Sequence, residues 1–425
     1  MLAPLAPEVI TLGCRLNIAE SETIRGYLGD RDVVVVNSCA VTNDAVKATR
    51  AAIRRARRRR PGAEIVVTGC AATIDPAGFA GMAEVDRVVG NLDKLAPSHW
   101  GAPALPAPVR FEGHARALVE VQNGCDHRCT FCAIPFGRGP SRSVPAGAVV
   151  ERIAGLVAAG HNEVVLTGVD LTSYGHDLPG APTLGHLVER ILKLVPTLPR
   201  LRLSSLDGIE IDDRLFDLLT GEPRVMPHVH LSFQAGDDLI LKRMKRRHSR
   251  AQSVALVEGL KAKRPEIAIG ADIIAGFPTE DETMFANSVA LIADCDIVHA
   301  HVFPYSPRSG TPAARMPQVA PVVVKDRAAR LRAEAEAHRA RWLASLVGTE
   351  QRVLVEAPGD RGHAENFASI TLSLPFGLSL SKPCPSSIPQ DEEQDSPSTS
   401  SARTGDLVIA SITHIADGQL IGQIS

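Results

Sequence analysis

Three cysteines constrain this chain more than any other feature. Cys125, Cys129 and Cys132 lie in the run Gly124-Cys125-Asp126-His127-Arg128-Cys129-Thr130-Phe131-Cys132. Thiolates spaced this closely can close on one metal centre without help from distant chain. Three ligands leave one iron of a cubane 4Fe–4S cluster without a protein ligand, and that open iron is where chemistry can occur. Structural zinc wants four ligands, and no fourth Cys or His follows at finger spacing, His127 lying inside the loop. Asp126, His127 and Arg128 make the loop polar, which argues against three thiols buried as small hydrophobes.

The 425 residues are enough for two to three domains, and 44% hydrophobic with 22% charged residues is ordinary for a soluble globular protein. A formal net charge of −2 does not announce a nucleic-acid partner, so any such site must come from local clusters. Eight cysteines in a chain of this length suit metal ligation in a reducing cytoplasm better than a disulfide framework. Neither a signal peptide nor an apolar run long enough to span a membrane is expected.

In the first third, strand and helix patterns alternate. Strands are expected at 8–12, 32–37, 64–68 and 85–90 with helices between, giving an open parallel α/β sheet. Cys14, Cys39 and Cys70 each follow one of these strands. In such a sheet the carboxyl ends lie together at one edge, where ligands bind, so three cysteines distant in sequence converge. The helix expected at 43–60 ends in Arg54, Arg55, Arg57, Arg58, Arg59 and Arg60. That is more charge than a helix dipole needs, and a phosphate-contact patch for RNA is favoured over a solvated helix end.

A Pro/Ala-rich linker is expected at 95–113. After it, strands at 117–123, 163–167, 201–205, 229–233, 269–274 and 298–303 alternate with helices, the spacing of an incomplete six-strand (β/α) barrel whose site lies at the strands' carboxyl ends. Lys242, Arg243, Lys245, Arg246, Arg247 and His248 follow one of those ends, placing positive charge near the mouth for a polyanionic substrate. A charged helix is expected at 322–347, its arginines on a solvated face. From 346 to 425 short strands indicate a small β-barrel interrupted at 371–403 by a low-complexity, disordered insertion. Cys295 and Cys384 are read as non-ligands.

With Phe131 before its last cysteine, the central motif resembles the signature of radical S-adenosylmethionine enzymes. That resemblance implies a 4Fe–4S cluster on Cys125, Cys129 and Cys132 that binds S-adenosylmethionine and cleaves it by one electron to a 5′-deoxyadenosyl radical. It also implies that Thr167, Gly168, Asp170, Ser204, Ser205, Gln234 and Asp272, at or near strand ends, contact that cofactor. Thr11-Leu12-Gly13-Cys14-Arg15-Leu16-Asn17, Asn37-Ser38-Cys39-Ala40-Val41-Thr42 and Thr68-Gly69-Cys70-Ala71 resemble the methylthiotransferase branch, which implies a second 4Fe–4S cluster on Cys14, Cys39 and Cys70. The last segment resembles a TRAM domain, an RNA-binding appendage.

The implied organisation is 1–110 for the second-cluster domain, 111–345 for the radical core and 346–425 for the TRAM-like barrel. Within the family, Phe136 to Ser143 and Lys242 to Arg250 look most like the branch that methylthiolates C2 of N6-threonylcarbamoyladenosine at position 37 of tRNA. Arg54, Arg55, Arg58, Arg138, Arg142, Lys242, Arg243, Lys245, Arg246 and Arg247 are then the expected RNA contacts. A flavodoxin- or ferredoxin-type electron donor is a further expected partner. Sibling branches acting on N6-isopentenyladenosine in tRNA or on a ribosomal-protein aspartate remain open, as does a non-catalytic RNA-binding iron–sulfur protein.

Overall fold

Runs of β-branched residues pair side by side to make the first sheet. Glu8–Thr11, Val33–Ser38, Glu64–Gly69 and Arg87–Val88 form four parallel strands in that order, Val34 opposite Ile65 and Val36 opposite Val67. Every residue of Val33–Ser38 is buried, as a parallel strand covered on both faces requires. Fully burying each such valine stabilises by roughly 1.5–3 kcal/mol. Helix Arg15–Tyr27 follows the first strand, and helix Asn43–Arg59 follows the second, capped by the Thr42 hydroxyl accepting from the Ala45 amide.

The computed structural model describes residues 6–102, 111, 113–373 and 403–424. Residues 103–110 and 112 of the expected linker lie outside them. Its beginning is not a linker: Pro97–Trp100 forms a short turn, and Trp100 is buried with Nε1 donating to the Lys94 carbonyl at 2.7 Å.

The central part is an incomplete parallel barrel. Strands Ala117–Glu120, Glu163–Thr167 and Arg200–Leu203 pair in one half, and His228–Gln234, Ala268–Ala275 and Ile297–Pro304 in the other. A bridge between Leu206 and Leu231 joins the halves, leaving the first and last strands unpaired with each other. The N-terminal sheet covers that gap. Its helix Arg15–Tyr27 buries Ala19 in the barrel's core. On the other side Asn43 bonds Ser306, Pro307 and Arg308 beyond the last strand.

Strands Glu350–Glu356, Arg361–Ala364, Ser369–Ser373, Leu407–Ala416 and Gln419–Ile424 close into a small barrel. The expected insertion at 371–403 is therefore too wide, because 371–373 belong to a strand; residues 374–402, with Cys384, lie outside the described residues. This barrel docks on the amino ends of the central strands, where Arg200 and Arg202 donate to the carbonyls of Arg352 and Glu365. Helix Pro321–Ser345 departs from its expected solvated face at Arg327, which is buried and donates to Glu280. Among the described residues no helix is long and apolar enough to cross a membrane.

One buried ionic cluster ties the first sheet to the central barrel. Glu20 accepts from Lys94 at 2.6 Å and from both terminal nitrogens of Arg138 at 2.9 and 3.0 Å, all three side chains fully buried. Asn123, at the threshold of the cysteine loop, joins it by donating to Glu20 and accepting from Arg138. Against the burial that pushes it up, Lys94 and Arg138 hold the Glu20 carboxyl down from 4.5 to about 2. A depressed carboxylate contributes stability that is present above its unfolded pKa and lost as pH falls through its folded one.

Glu20→Gln strands two buried cations and is expected to cost about 3–5 kcal/mol in urea unfolding at neutral pH. The difference from the parent should shrink as pH falls from 4.5 toward 2. Lys47→Ala, removing an exposed pair with Asp44, should change stability by less than about 0.5 kcal/mol. Equal effects of the two substitutions would contradict this account of the interlock.

Candidate functional site

Cys14, Cys39 and Cys70 sit at the carboxyl edge of the first sheet. Gly13 has φ +96°, and a Cβ there would lie 2.7 Å from Cys39 Sγ, so the loop carrying Cys14 passes directly over Cys39 only because it has no side chain. Cys70 opens the short helix Cys70–Ile74, its sulfur 3.5 Å from Asn91 Nδ2. Burial, with Cys14 and Cys70 alongside, pushes the Cys39 thiol up.

The loop of Cys125, Cys129 and Cys132 is pinned from several elements. The Cys125 amide donates to the Gly139 carbonyl at 3.1 Å, and Thr130 uses its amide and hydroxyl on the carbonyls of Met244 and Arg243. Arg246 Nη1 lies 3.6 Å from Cys129 Sγ, and the Ile134 amide points at Cys132 Sγ at 3.4 Å. Cys125 Sγ lies 3.3 Å from Asp170 Oδ2. Burial and then Asp170 push the Cys125 thiol up, and burial with Cys129 beside it pushes Cys132 up to about 12.

The two triads are neighbours. Helix Ile134–Arg138, two residues past Cys132, packs on Cys70 so closely that a Cβ on Gly137 would meet Cys70 Cβ at 3.1 Å. Asn91 bridges them by donating to the Gly137 carbonyl. Each triad offers three thiols as a donor set. Crowded thiols that raise one another's pKa become stable thiolates when a multivalent cation joins them.

The expected cofactor contacts lie around the mouth. Thr167 ends its strand, buried, with Oγ1 lacking a partner. Gly168 packs against Gln122, whose Oε1 accepts from the Val169 and Asp170 amides. Ser204 is buried with an unpartnered hydroxyl, Ser205 is exposed, and Gln234 takes φ +68° at its strand end. Asp272 lies deeper, three residues short of the carboxyl end of Ala268–Ala275. Its Oδ1 meets His230 Nε2 at 3.0 Å and His301 Nδ1 at 3.3 Å, and these histidines hold the carboxyl well below its usual range despite burial.

One expected RNA contact is corrected, and others are found engaged with protein partners. Arg138 is 1% exposed and committed to Glu20, so it cannot reach a phosphate. The Arg246 side chain, 8% exposed, is held against Asp207 and the Ser232 carbonyl. Arg247 pairs with Asp207 and Glu210, and Arg243 donates to the Thr279 carbonyl. Arg54, Arg57, Arg59 and Arg60 pair with Glu84, Asp86, Glu8 and Asp32. They end a helix that returns to the amino edge of the sheet, away from the cysteines; Arg54, Arg55, Arg58 and Arg59 are all exposed, and of these Arg55 and Arg58 form no ion pair among the described residues. Lys242 and Lys245 are exposed on the turn that grips Thr130, and Arg142 donates to the carbonyls of Arg138 and Pro140.

Sequence reasoning missed the lumen. His127, inside the cysteine loop, lies 3.0 Å from Asp170 and 3.5 Å from Glu210, whose hydrogen bonds push its pKa up to about 10. The lumen floor comes from the C-terminal barrel: Phe367, φ +68°, stacks on His228 and His363 and lies under the guanidiniums of Arg15, Arg116 and Arg202 at 5.4, 5.6 and 4.9 Å. Only the strand period, which puts His228 and His230 on one face, hinted at these residues.

Residues 119–292 match the family profile described as the radical SAM superfamily, and residues 7–90 that described as uncharacterized protein family UPF0004. The chain is 47% identical to the threonylcarbamoyladenosine tRNA methylthiotransferase MtaB of Rickettsia prowazekii over 386 residues, 87% of this chain and 91% of that protein. It is 33% identical to the protein of the same name from Thermotoga maritima, covering 81% and 85% of the two chains. Among solved structures, the radical S-adenosylmethionine methyltransferase TsrM of Kitasatospora setae aligns with a TM-score of 0.50 at 17% identity, over 68% of this chain and 66% of that one, a likeness of fold alone.

Arg246 and Lys242 separate the structural cations from the exposed ones. Arg246→Ala should cost about 2–4 kcal/mol in urea unfolding, since it leaves buried Asp207 short of a partner. Lys242→Ala, at an exposed side chain, should leave stability within about 0.5 kcal/mol. The reverse pattern would contradict these placements.

Proposed function

Because the chain belongs to the radical S-adenosylmethionine methylthiotransferases, we propose that it methylthiolates C2 of N6-threonylcarbamoyladenosine at position 37 of tRNA. The observation that carries this reading is the packing of helix Ile134–Arg138, just past Cys132, on Cys70, which brings the two cysteine triads next to each other. The relatives named above, similar over most of both chains, support the substrate. In this reading residues 1–110 carry a second 4Fe–4S cluster on Cys14, Cys39 and Cys70, residues 111–345 the radical core, and residues 346–425 the RNA-binding barrel.

When bound, the cluster on Cys125, Cys129 and Cys132 and its S-adenosylmethionine supply one-electron cleavage, while the second cluster and the same cofactor supply sulfur and methyl. The chain's own residues do the positioning. Gln122 fixes the turn at Gly168 and Asp170 beneath the cysteine loop by accepting two of its amides. Thr167 and Ser204 offer buried hydroxyls without protein partners, suited to a polar cofactor. His127, held toward Asp170 and Glu210, keeps the loop's charge directed inward. Lys242, Lys245 and Arg142 offer phosphate contacts beside the mouth, with Arg55 and Arg58 on a separate face of the first sheet. A one-electron donor of the flavodoxin or ferredoxin type and a cytoplasmic location complete the reading.

Nucleoside mass spectrometry of tRNA from cells lacking the gene tests it. The 2-methylthio-N6-threonylcarbamoyladenosine should vanish and return with the wild-type gene. A change instead in the isopentenyl derivative or in a ribosomal protein would move the chain to a sibling branch. In vitro, Cys129→Ala should abolish formation of 5′-deoxyadenosine. Cys39→Ala should retain its formation while product falls below detection, and normal product from that variant would remove the second cluster from the mechanism.

A further inference from the structure

Arg15 faces the lumen without an ion pair among the described residues. Glu163 is taken up by Arg202, Arg116 and Arg200. Glu356 pairs with Arg116 and His363, and Asp272 with His230 and His301. Arg15 has neither a hydrogen bond nor an ion pair among the described residues; burial and then Arg116 and Arg202 disfavour its charge, and Glu163, already shared by three arginines, offsets them only in part. A half-buried guanidinium in such company is costly unless an anion joins it. It is nevertheless held in place, lying over the Phe367 ring at 5.4 Å. A cation–π contact of this kind uses none of the guanidinium's hydrogen-bond donors on protein acceptors, so its N–H groups remain available for a carboxylate.

Position identifies the anion. Arg15 is bonded in sequence to Cys14, on the side of the lumen where sulfur would be transferred. Its guanidinium reaches down toward the floor, next to Phe367 and near His228. The loop of Cys125, Cys129 and Cys132, where the methionine carboxylate of S-adenosylmethionine would be held, lies at the opposite, carboxyl ends of the strands. A base presented to Cys14 with its N6 arm directed into the lumen brings the end of that arm to Arg15. For a threonylcarbamoyl arm, that end carries a carboxylate.

We propose that Arg15 receives the carboxylate of the substrate's N6-threonylcarbamoyl group, with Phe367 as its platform, and so sets the preference for an acidic N6 substituent. This rests on the substrate reading above. The carboxylate forms a bidentate, charge-assisted pair with the Arg15 fork. It also offsets the like charges of Arg116 and Arg202, so an acidic arm gains where a neutral arm of the same shape does not.

The test uses the full-length protein with its clusters reconstituted and two synthetic anticodon stem-loops, one carrying N6-threonylcarbamoyladenosine and the other its carboxamide. Wild type should favour the acid in kcat/KM by at least about tenfold, the worth of one hydrogen-bonded charge. Arg15→Gln should lose that preference by lowering kcat/KM on the acid alone, Arg15→Lys should restore part of it, and iron content and cofactor cleavage without RNA should match wild type. Equal wild-type rates on both stem-loops overturn the proposal without any variant. So does an Arg15→Gln enzyme that still prefers the acid, or one whose defect lies in affinity for S-adenosylmethionine, which would assign Arg15 to the cofactor's carboxylate. Wild-type activity on neither stem-loop overturns the substrate reading itself, and this inference with it.

Discussion

The Glu20 carboxylate, gripped by Arg138 and Lys94 in a dry interior, is the contact on which the arrangement of the two cysteine sets depends. Glu20 belongs to the helix after Cys14, and Arg138 ends the helix after Cys132. Bringing three charges out of water costs several kcal/mol per ion, so the cluster is a poor source of net stability. Its geometry is demanding, however: the two carboxylate oxygens are shared among three donors, Asn17 and Asn123 accept from Arg138, and Asn37 accepts from Lys94. A sheet slid or rotated against the barrel would leave buried charges unpaired. The ionic cluster therefore fixes register, and the contact of Gly137 with Cys70 follows from it.

The remaining architecture surrounds the lumen from three directions. The partial barrel supplies the wall and, at its carboxyl ends, the mouth. The N-terminal sheet covers the gap between first and last strands and sends Arg15 inward. The C-terminal barrel closes the amino end with Phe367. All three pieces thus contribute side chains to one space, although each has its own apolar core.

What the sequence revealed depended on whether the signal was local. The central cysteine motif lies within one loop, and the strand-end cysteines follow runs such as Val33–Val36 whose burial is unmistakable, so both sets could be located, as could the alternating elements of sheet and barrel. Arg138 could not be read correctly, because the partner that buries it lies 118 positions away and nothing nearby distinguishes it from a phosphate-binding arginine. Arg246, and Arg54, Arg57, Arg59 and Arg60, likewise have ion-pair partners from other elements that no local signal announces. Asp272 was noticed, but not the cross-strand histidines that hold it, because His230 and His301 meet only through strand register. The turn that carries Phe367 into the lumen floor gave no signal, since its function exists only once two barrels dock.

The central claim is that the two cysteine triads hold clusters facing one space, and electron paramagnetic resonance of the reduced, fully reconstituted protein tests it most directly. Two paramagnetic clusters as close as the Gly137–Cys70 contact requires should broaden and split one another's signals. The spectrum should then differ from the sum of those from Cys39→Ala and Cys129→Ala, each retaining one cluster. A wild-type spectrum equal to that sum would mean the clusters are too far apart to share a substrate, and would contradict the account.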